Sequence, residues 1–176
     1  MTPDTEARLK AAIRDVPDFP KKGIVFKDIT TLLQDPEMLR LALDSFVELI
    51  GSQQVDKIVA IESRGFILGG VVADRLGVGF VPVRKPGKLP WRTRRATYEL
   101  EYGTDTLEIH EDALNAGERV LVVDDVIATG GTARAVGELA AGVGATVSAY
   151  AFLVELTFLK GRESLSGADV LALIRY

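Results

Sequence analysis

The chain predicts an α/β domain in which helices wind over both faces of a mostly parallel sheet, and three observations carry that prediction. Residues 120–123 (VLVV) are a continuous apolar run bounded by Arg119 and by the adjacent carboxylates Asp124 and Asp125, the pattern of a parallel strand buried on both faces with acids at its end. A small-residue loop, Ala128-Thr129-Gly130-Gly131-Thr132, then leads into a helical stretch (Ala133, Val136, Leu139, Ala140) that ends near Gly142. The same plan recurs earlier, where Ile58 to Ile61 runs into Glu62-Ser63-Arg64-Gly65-Phe66 and a helix to about Leu76. Repeated βα units over 176 residues predict one doubly wound domain, residues 1–176, with ligands at the carboxyl ends of its strands.

In chain order, Asp4 or Thr5 caps a first helix carrying Leu9, Ala12, Ile13 and Val16 at helical spacing, ended by Pro17. DFPKKGIVFKDIT follows, with the extended apolar Ile24-Val25-Phe26 set among prolines and Gly23. It suits either a short core strand or a hood, within residues 1–34, that lays an aromatic face over a flat ligand. Asp35-Pro36 opens a helix whose apolar face is Leu39, Leu43, Phe46, Val47 and Ile50. Residues 80–84 form a further strand, with Pro82 suited to an edge. RKPGKLPWRTRRAT brings together Lys85, Lys88, Arg92, Arg94 and Arg95 with glycine and two prolines. It is either a solvated charged loop or a mobile cover over an anionic intermediate. YELEYG and TLEIH, on either side of Thr104-Asp105, read as a β-hairpin, so residues 85–110 form a flexible loop and hairpin. Two last strands, residues 146–154 and 170–174, complete the sheet.

Composition narrows the function. With 47% hydrophobic and 26% charged residues the chain is globular, and no stretch is apolar for long enough to span a bilayer. The start MTPDTEARLK lacks the apolar core of a secretion signal, so no membrane and a cytoplasmic location are expected. The absence of cysteine removes disulfides and thiolate catalysis, and a single His110 leaves no histidine metal cluster or histidine triad. A net charge of −4 argues against nucleic acid, while the basic residues concentrated between Arg84 and Arg95 suit a small polyanion.

The turns carry the chemistry. Free backbone amides at a helix N-terminus favour a phosphate, which assigns the amides and hydroxyls of residues 128–132 to that group. Asp124 and Asp125 beside it accept hydrogen bonds from sugar hydroxyls or hold a hydrated magnesium; either way the ligand specified is a sugar phosphate. Arg64 in the first turn offers the planar fork that suits a diphosphate.

The string VVDDVIATGGT resembles the phosphoribosyl-diphosphate (PRPP) motif of the type I phosphoribosyltransferases. DFPKKGIVFKDIT, IESRGF, RKPGKLP, YELEYGTDTLEIH and VELTFLKGRE are each similar, in order, to segments of the adenine phosphoribosyltransferase family, so the resemblance covers nearly the whole chain. It implies transfer of ribose 5-phosphate from PRPP to N9 of adenine, with magnesium (Mg2+), by a homodimer. By position, Asp124 and Asp125 would bind the ribose hydroxyls, and Ala128, Thr129, Gly130, Gly131 and Thr132 the 5-phosphate. Ser63 and Arg64 would contact diphosphate across a cis peptide between Glu62 and Ser63, with Arg84 beside them. Val25, Phe26 and Leu156 would frame adenine, Lys27 would also bind substrate, Lys88 would come down with the loop, and Glu101 and Tyr102 would act near the purine. Magnesium would be held mainly through substrate oxygens and water, near Asp124. Lys27 stands where some members have arginine, and WRTRR makes the loop unusually basic. Ala128 replaces the acid of the hypoxanthine-guanine branch.

Other readings meet specific obstacles. A P-loop ATPase needs GxxxxGK[ST] and a dinucleotide enzyme GxGxxG, and the chain has neither. A PRPP-sensing regulator that only binds would keep the motif and add a DNA-binding segment. A xanthine or hypoxanthine-guanine transferase would share the chemistry and differ in the base.

Overall fold

The computed structural model describes residues 2–51, 53–99, 104–165 and 167–176, which group into two compact units, Met1–Leu49 and Ile50–Tyr176. In the first, α1 (Pro3–Ala12) is capped by Thr2, whose hydroxyl accepts from the Thr5 amide at 3.2 Å, with Pro3 in the first turn. The sequence places this cap two or three residues later and carries the helix on to Val16. Instead, β1 (Arg14–Pro17) pairs antiparallel with β2 (Val25–Asp28), Val16 opposite Phe26. Backbone pairing with a distant segment outweighs the helical spacing of Ile13 and Val16, because local periodicity does not register a partner strand. A short α2 (Thr30–Gln34) precedes α3 (Pro36–Ile50). Asp35 caps α3 as expected, its Oδ1 accepting from the Glu37 and Met38 amides at 2.9 and 3.1 Å. Leu43, Phe46 and Ile50 form its buried face.

The second unit is built on β3 (Lys57–Ile61), α4 (Gly65–Leu76), β4 (Gly79–Val83), β5 (Thr93–Glu99), β6 (Thr104–His110), β7 (Arg119–Ile127), α5 (Gly131–Gly142), β8 (Thr146–Glu155) and β9 (Asp169–Arg175). Five strands form one parallel sheet in the order β4-β3-β7-β8-β9, with Pro82 in the edge strand β4. Alternation sorts the side chains: Val59, Ile61, Val81, Val83, Val120 and Val122 share a core with Ala133, Val136 and Leu139 of α5. Ile58 and Ala60 point the other way, against Gly69 of α4. Helices therefore cover both faces, as the continuous apolar strands require.

Two local readings change. The hairpin strands begin earlier than expected, with Thr93 opposite His110 and Glu99 opposite Thr104. Arg94 and Arg95 thus belong to a strand, where Arg95 Nε donates to the buried Glu108 at 2.6 Å. Asp124 and Asp125 likewise lie within β7. Pairing with β3 stops at Val123, but pairing with β8 continues to Ile127, so the acids stand where one neighbouring strand has ended.

Candidate active site

Residues 62–64 join β3 to α4, and the Glu62–Ser63 peptide is cis. Gly65 lets this turn close on β7: a Cβ there would stand 2.9 Å from both Asp124 Oδ1 and the Val123 carbonyl oxygen. Only glycine tolerates that approach. Arg64 consequently reaches across the sheet end and its Nε bonds to Asp125 Oδ2. Asp125 is buried, and its amide donates to Asp124 Oδ1 at 2.9 Å. Burial first, and then the charge of Asp125, push the Asp124 carboxyl well above the usual carboxylate range.

Beyond β7, Gly130 takes a left-handed conformation (φ 82°) as the N-cap of α5. Arg134 is the first residue whose amide returns to this turn, donating to the Gly130 carbonyl oxygen at 2.9 Å, which leaves the amides before it at the open end of the helix. Asp124, Ala128, Thr129, Gly130, Gly131 and Thr132 line a cavity of about 80 Å³ there. A few amides and two hydroxyls around so small a space suit one phosphoryl group.

Glu62 organises the charged side of the site. Its side chain is 5% exposed; it accepts from Arg84 Nε at 2.8 Å, the Lys85 amide at 2.9 Å and Lys88 Nζ at 2.9 Å. Burial alone would raise its carboxyl, but the Lys85 amide, Lys88 and Arg84 together outweigh it and the net shift is downward. Lys88 thus rests on Glu62. The loop is also held from behind, where the Gly87 amide donates to Glu108 Oε2 at 3.0 Å and Lys85 pairs with Asp105. The buried Tyr98 hydroxyl donates to Asp105 at 3.3 Å and accepts from Thr132 Oγ1 at 3.4 Å. Sequence reasoning missed Tyr98, Asp105 and Glu108 as supports, and only the alternation of the hairpin signals them.

Leu156 is tied to the end of β7, its amide donating to the Ile127 carbonyl oxygen at 3.0 Å. Val25, Phe26 and Lys27 lie on β2 of the first unit. There Val25 is exposed, Phe26 meets Phe19 edge to face at 5.3 Å, and Lys27 pairs with Asp15 at 2.6 Å. Glu101 and Tyr102 lie outside the described residues.

Paired acids running into a small neutral turn of amides and hydroxyls, at the carboxyl end of a parallel sheet, are the arrangement a phosphoribosyltransferase site requires. The family model described as phosphoribosyl transferase domain matches residues 28–163. The chain is 57% identical over 168 residues to the adenine phosphoribosyltransferase of Acaryochloris marina, covering 96% of this chain and 99% of that one. Among solved structures it is similar to the adenine phosphoribosyltransferase of Thermoanaerobacter pseudethanolicus (TM-score 0.94, 51% identity, 97% and 99% of the two chains). It is also similar to that of Saccharomyces cerevisiae complexed with an imino-altritol bisphosphate and adenine (TM-score 0.91, 45% identity, 98% and 100%). The chain belongs to the adenine phosphoribosyltransferase family.

Proposed function

We infer that the chain makes AMP and diphosphate from adenine and PRPP. The observation that carries this reading is the junction at Gly65, which sets the Arg64 turn against Asp124 at the mouth of the phosphate cradle. A ribose 5-phosphate with a diphosphate on C1 needs those three chemistries side by side: neutral amides, hydroxyl acceptors and a cation. Breaking the bond from C1 to diphosphate develops positive charge on the sugar and negative charge on the leaving group. Arg64 and Ser63 hold the departing diphosphate, Asp124 and Asp125 accept from the ribose hydroxyls, and residues 128–132 hold the 5-phosphate. Lys88 leaves Glu62 to reach the diphosphate, and Glu62 and Arg84 position the loop. Val25, Phe26 and Leu156 are assigned to adenine, Lys27 to substrate binding, and Glu101 with Tyr102 to positioning or proton transfer at the purine, on the family resemblance.

Among the described residues no group of three or more acids or histidines is placed to hold a metal. A magnesium would take its ligands mainly from substrate oxygens and water, and Asp124, which lines the small cavity, is the residue that would help to hold it. When bound, it would neutralise charge on the diphosphate. We further assign the protein to the cytoplasm as a homodimer. No helix among the described residues is long and apolar enough to cross a membrane. Exposed Ile67 and Phe80 offer an apolar face to a second copy.

The base is tested with a panel. A 6-amino group donates where a 6-oxo group accepts, and a backbone carbonyl in residues 23–26 is the assigned acceptor. With PRPP and magnesium, adenine should exceed hypoxanthine, guanine and xanthine by at least about a hundredfold in kcat/KM. Comparable turnover of hypoxanthine would overturn the adenine assignment, and no turnover of any base would move the reading to a PRPP-binding regulator.

A further inference from the structure

The segment after β8 is built against the back of the phosphate cradle. Ser164 Oγ shares its one proton between the Gly161 carbonyl oxygen at 2.7 Å and the Thr129 carbonyl oxygen at 3.1 Å, a three-centre hydrogen bond that ties this turn to the cradle. The two backbones are in close contact. A Cβ on Gly130 would collide with Ser164 Oγ and the Gly161 carbonyl, and one on Gly161 would collide with the Ala128 carbonyl. The turn (Gly161–Ser164) is itself clamped to the sheet. Arg162 donates twice to Glu155, at 3.0 and 2.7 Å, and once to the Val170 carbonyl oxygen at 2.5 Å. The Arg162 hydrogen bonds hold the buried Glu155 carboxyl below its usual range despite its burial.

The peptide between Thr129 and Gly130 is where this clamp acts. Its carbonyl and its N–H point in opposite directions because the peptide is planar. With the Thr129 carbonyl turned to Ser164, the Gly130 N–H is aimed away from that turn, and Gly130 is one of the residues that line the cavity. Glycine permits that peptide to flip at little steric cost. A flip would present an acceptor oxygen to an anion in place of a donor. We propose that Ser164 is a positioning residue of the 5-phosphate subsite, which locks the Thr129–Gly130 peptide with its N–H toward the phosphate. The inference rests on the reading of residues 128–132 as the phosphate cradle.

The test uses the full-length chain with ribose 5-phosphate as the calorimetric probe, alongside steady-state kinetics for PRPP and adenine. Ser164→Ala should weaken ribose 5-phosphate binding and raise the KM for PRPP by about fivefold to tenfold, the effect of one lost hydrogen bond. The turnover number and the KM for adenine should stay within about twofold, since the interaction is made equally in ground and transition states. Ser164→Thr, which keeps the hydroxyl, should restore wild-type binding. Unchanged ribose 5-phosphate affinity in Ser164→Ala would overturn the proposal, as would equal losses for both substrates or a Ser164→Thr protein that behaves like Ser164→Ala. Turnover of adenine by the wild type is read separately. Its absence would sink the functional reading, whereas wild-type turnover with unchanged ribose 5-phosphate affinity in Ser164→Ala sinks only the role of Ser164.

Discussion

The turns after β3 and after β7, assigned above to two ends of one substrate, are made of opposite materials. After β3 the site is charged: Arg64 sits on Asp125, while Arg84 and Lys88 both sit on Glu62. After β7 it is neutral, a cradle of amides and hydroxyls fixed by a left-handed Gly130 and by packing against residues 161–164. The difference teaches how one substrate is handled at its two ends. The phosphate that stays with the product meets donors already in place, which cost no reorganisation on binding. On the function proposed above, the diphosphate that must leave would meet cations that exchange a carboxylate for a phosphate oxygen, and their return to the carboxylates would favour its release.

Breaking the charged side should have the larger effect. Asp125→Asn keeps the shape of a buried side chain but removes the anion that serves both the ribose hydroxyls and Arg64. A hydrogen bond to a charged group contributes about 1.5 to 3 kcal/mol, so PRPP affinity should fall by about one to two orders of magnitude. Adenine binding and the circular dichroism spectrum should not change. Titration of PRPP into the variant checks this, and wild-type affinity would remove Asp125 from the site.

Lys88→Ala probes the exchange itself. Its ammonium is half-exposed, and pairs of that kind contribute about 0 to 1 kcal/mol, so the melting temperature should move by no more than about 4 °C. Turnover should fall by about tenfold, because the loop loses the cation it brings to the leaving group. Cleavage within residues 85–97 by a protease should also be slowed by PRPP with magnesium in the wild type. Equal turnover of the two proteins would show that the Lys88–Glu62 pair is merely a surface ion pair.

Much of the neutral side was legible in the sequence, and less of the charged side. A buried parallel strand, a glycine-rich turn and a helix start are local patterns, so the cradle at residues 128–132 could be read directly. The Asp35 cap and the edge position of Pro82 follow from equally local rules. What escaped depends on partners distant in the chain. Nothing around Lys88 indicates that it rests on Glu62, 26 residues away, and nothing around Gly65 indicates that Asp124 packs against it. The acids were expected at a strand end because their polarity interrupts an apolar run. They lie inside β7 because β8 supplies a backbone partner as far as Ile127. For the same reason β1 and the start of β5 were missed: pairing decided both, and a partner strand leaves no mark in the segment it joins.

The smallest expected effect falls where the two sides meet, at Asp124. This carboxyl is crowded by burial and by Asp125, and its pKa in the folded chain lies well above the value of about 3.9 that an unfolded aspartate has. A raised acid favours the folded state while it is protonated. Its contribution is fully present below about pH 3.9 and is lost as pH rises through the folded pKa, so at neutral pH this carboxyl opposes folding. Asn at this position keeps an oxygen to accept from the Asp125 amide and carries no charge. Asp124→Asn should therefore melt about 2 to 4 °C above the wild type at neutral pH, the shift that about 1 kcal/mol gives in a chain of this size. The advantage should shrink toward zero as pH is lowered to about 4. The same substitution should weaken PRPP binding, because an amide accepts from the ribose hydroxyls less strongly than a carboxylate. Melting curves from pH 4 to pH 8 for both proteins decide the matter. A variant less stable than the wild type across that range would mean that the ionised Asp124 is favourably solvated or paired, and that the contrast between a charged and a neutral side does not extend to the acid between them.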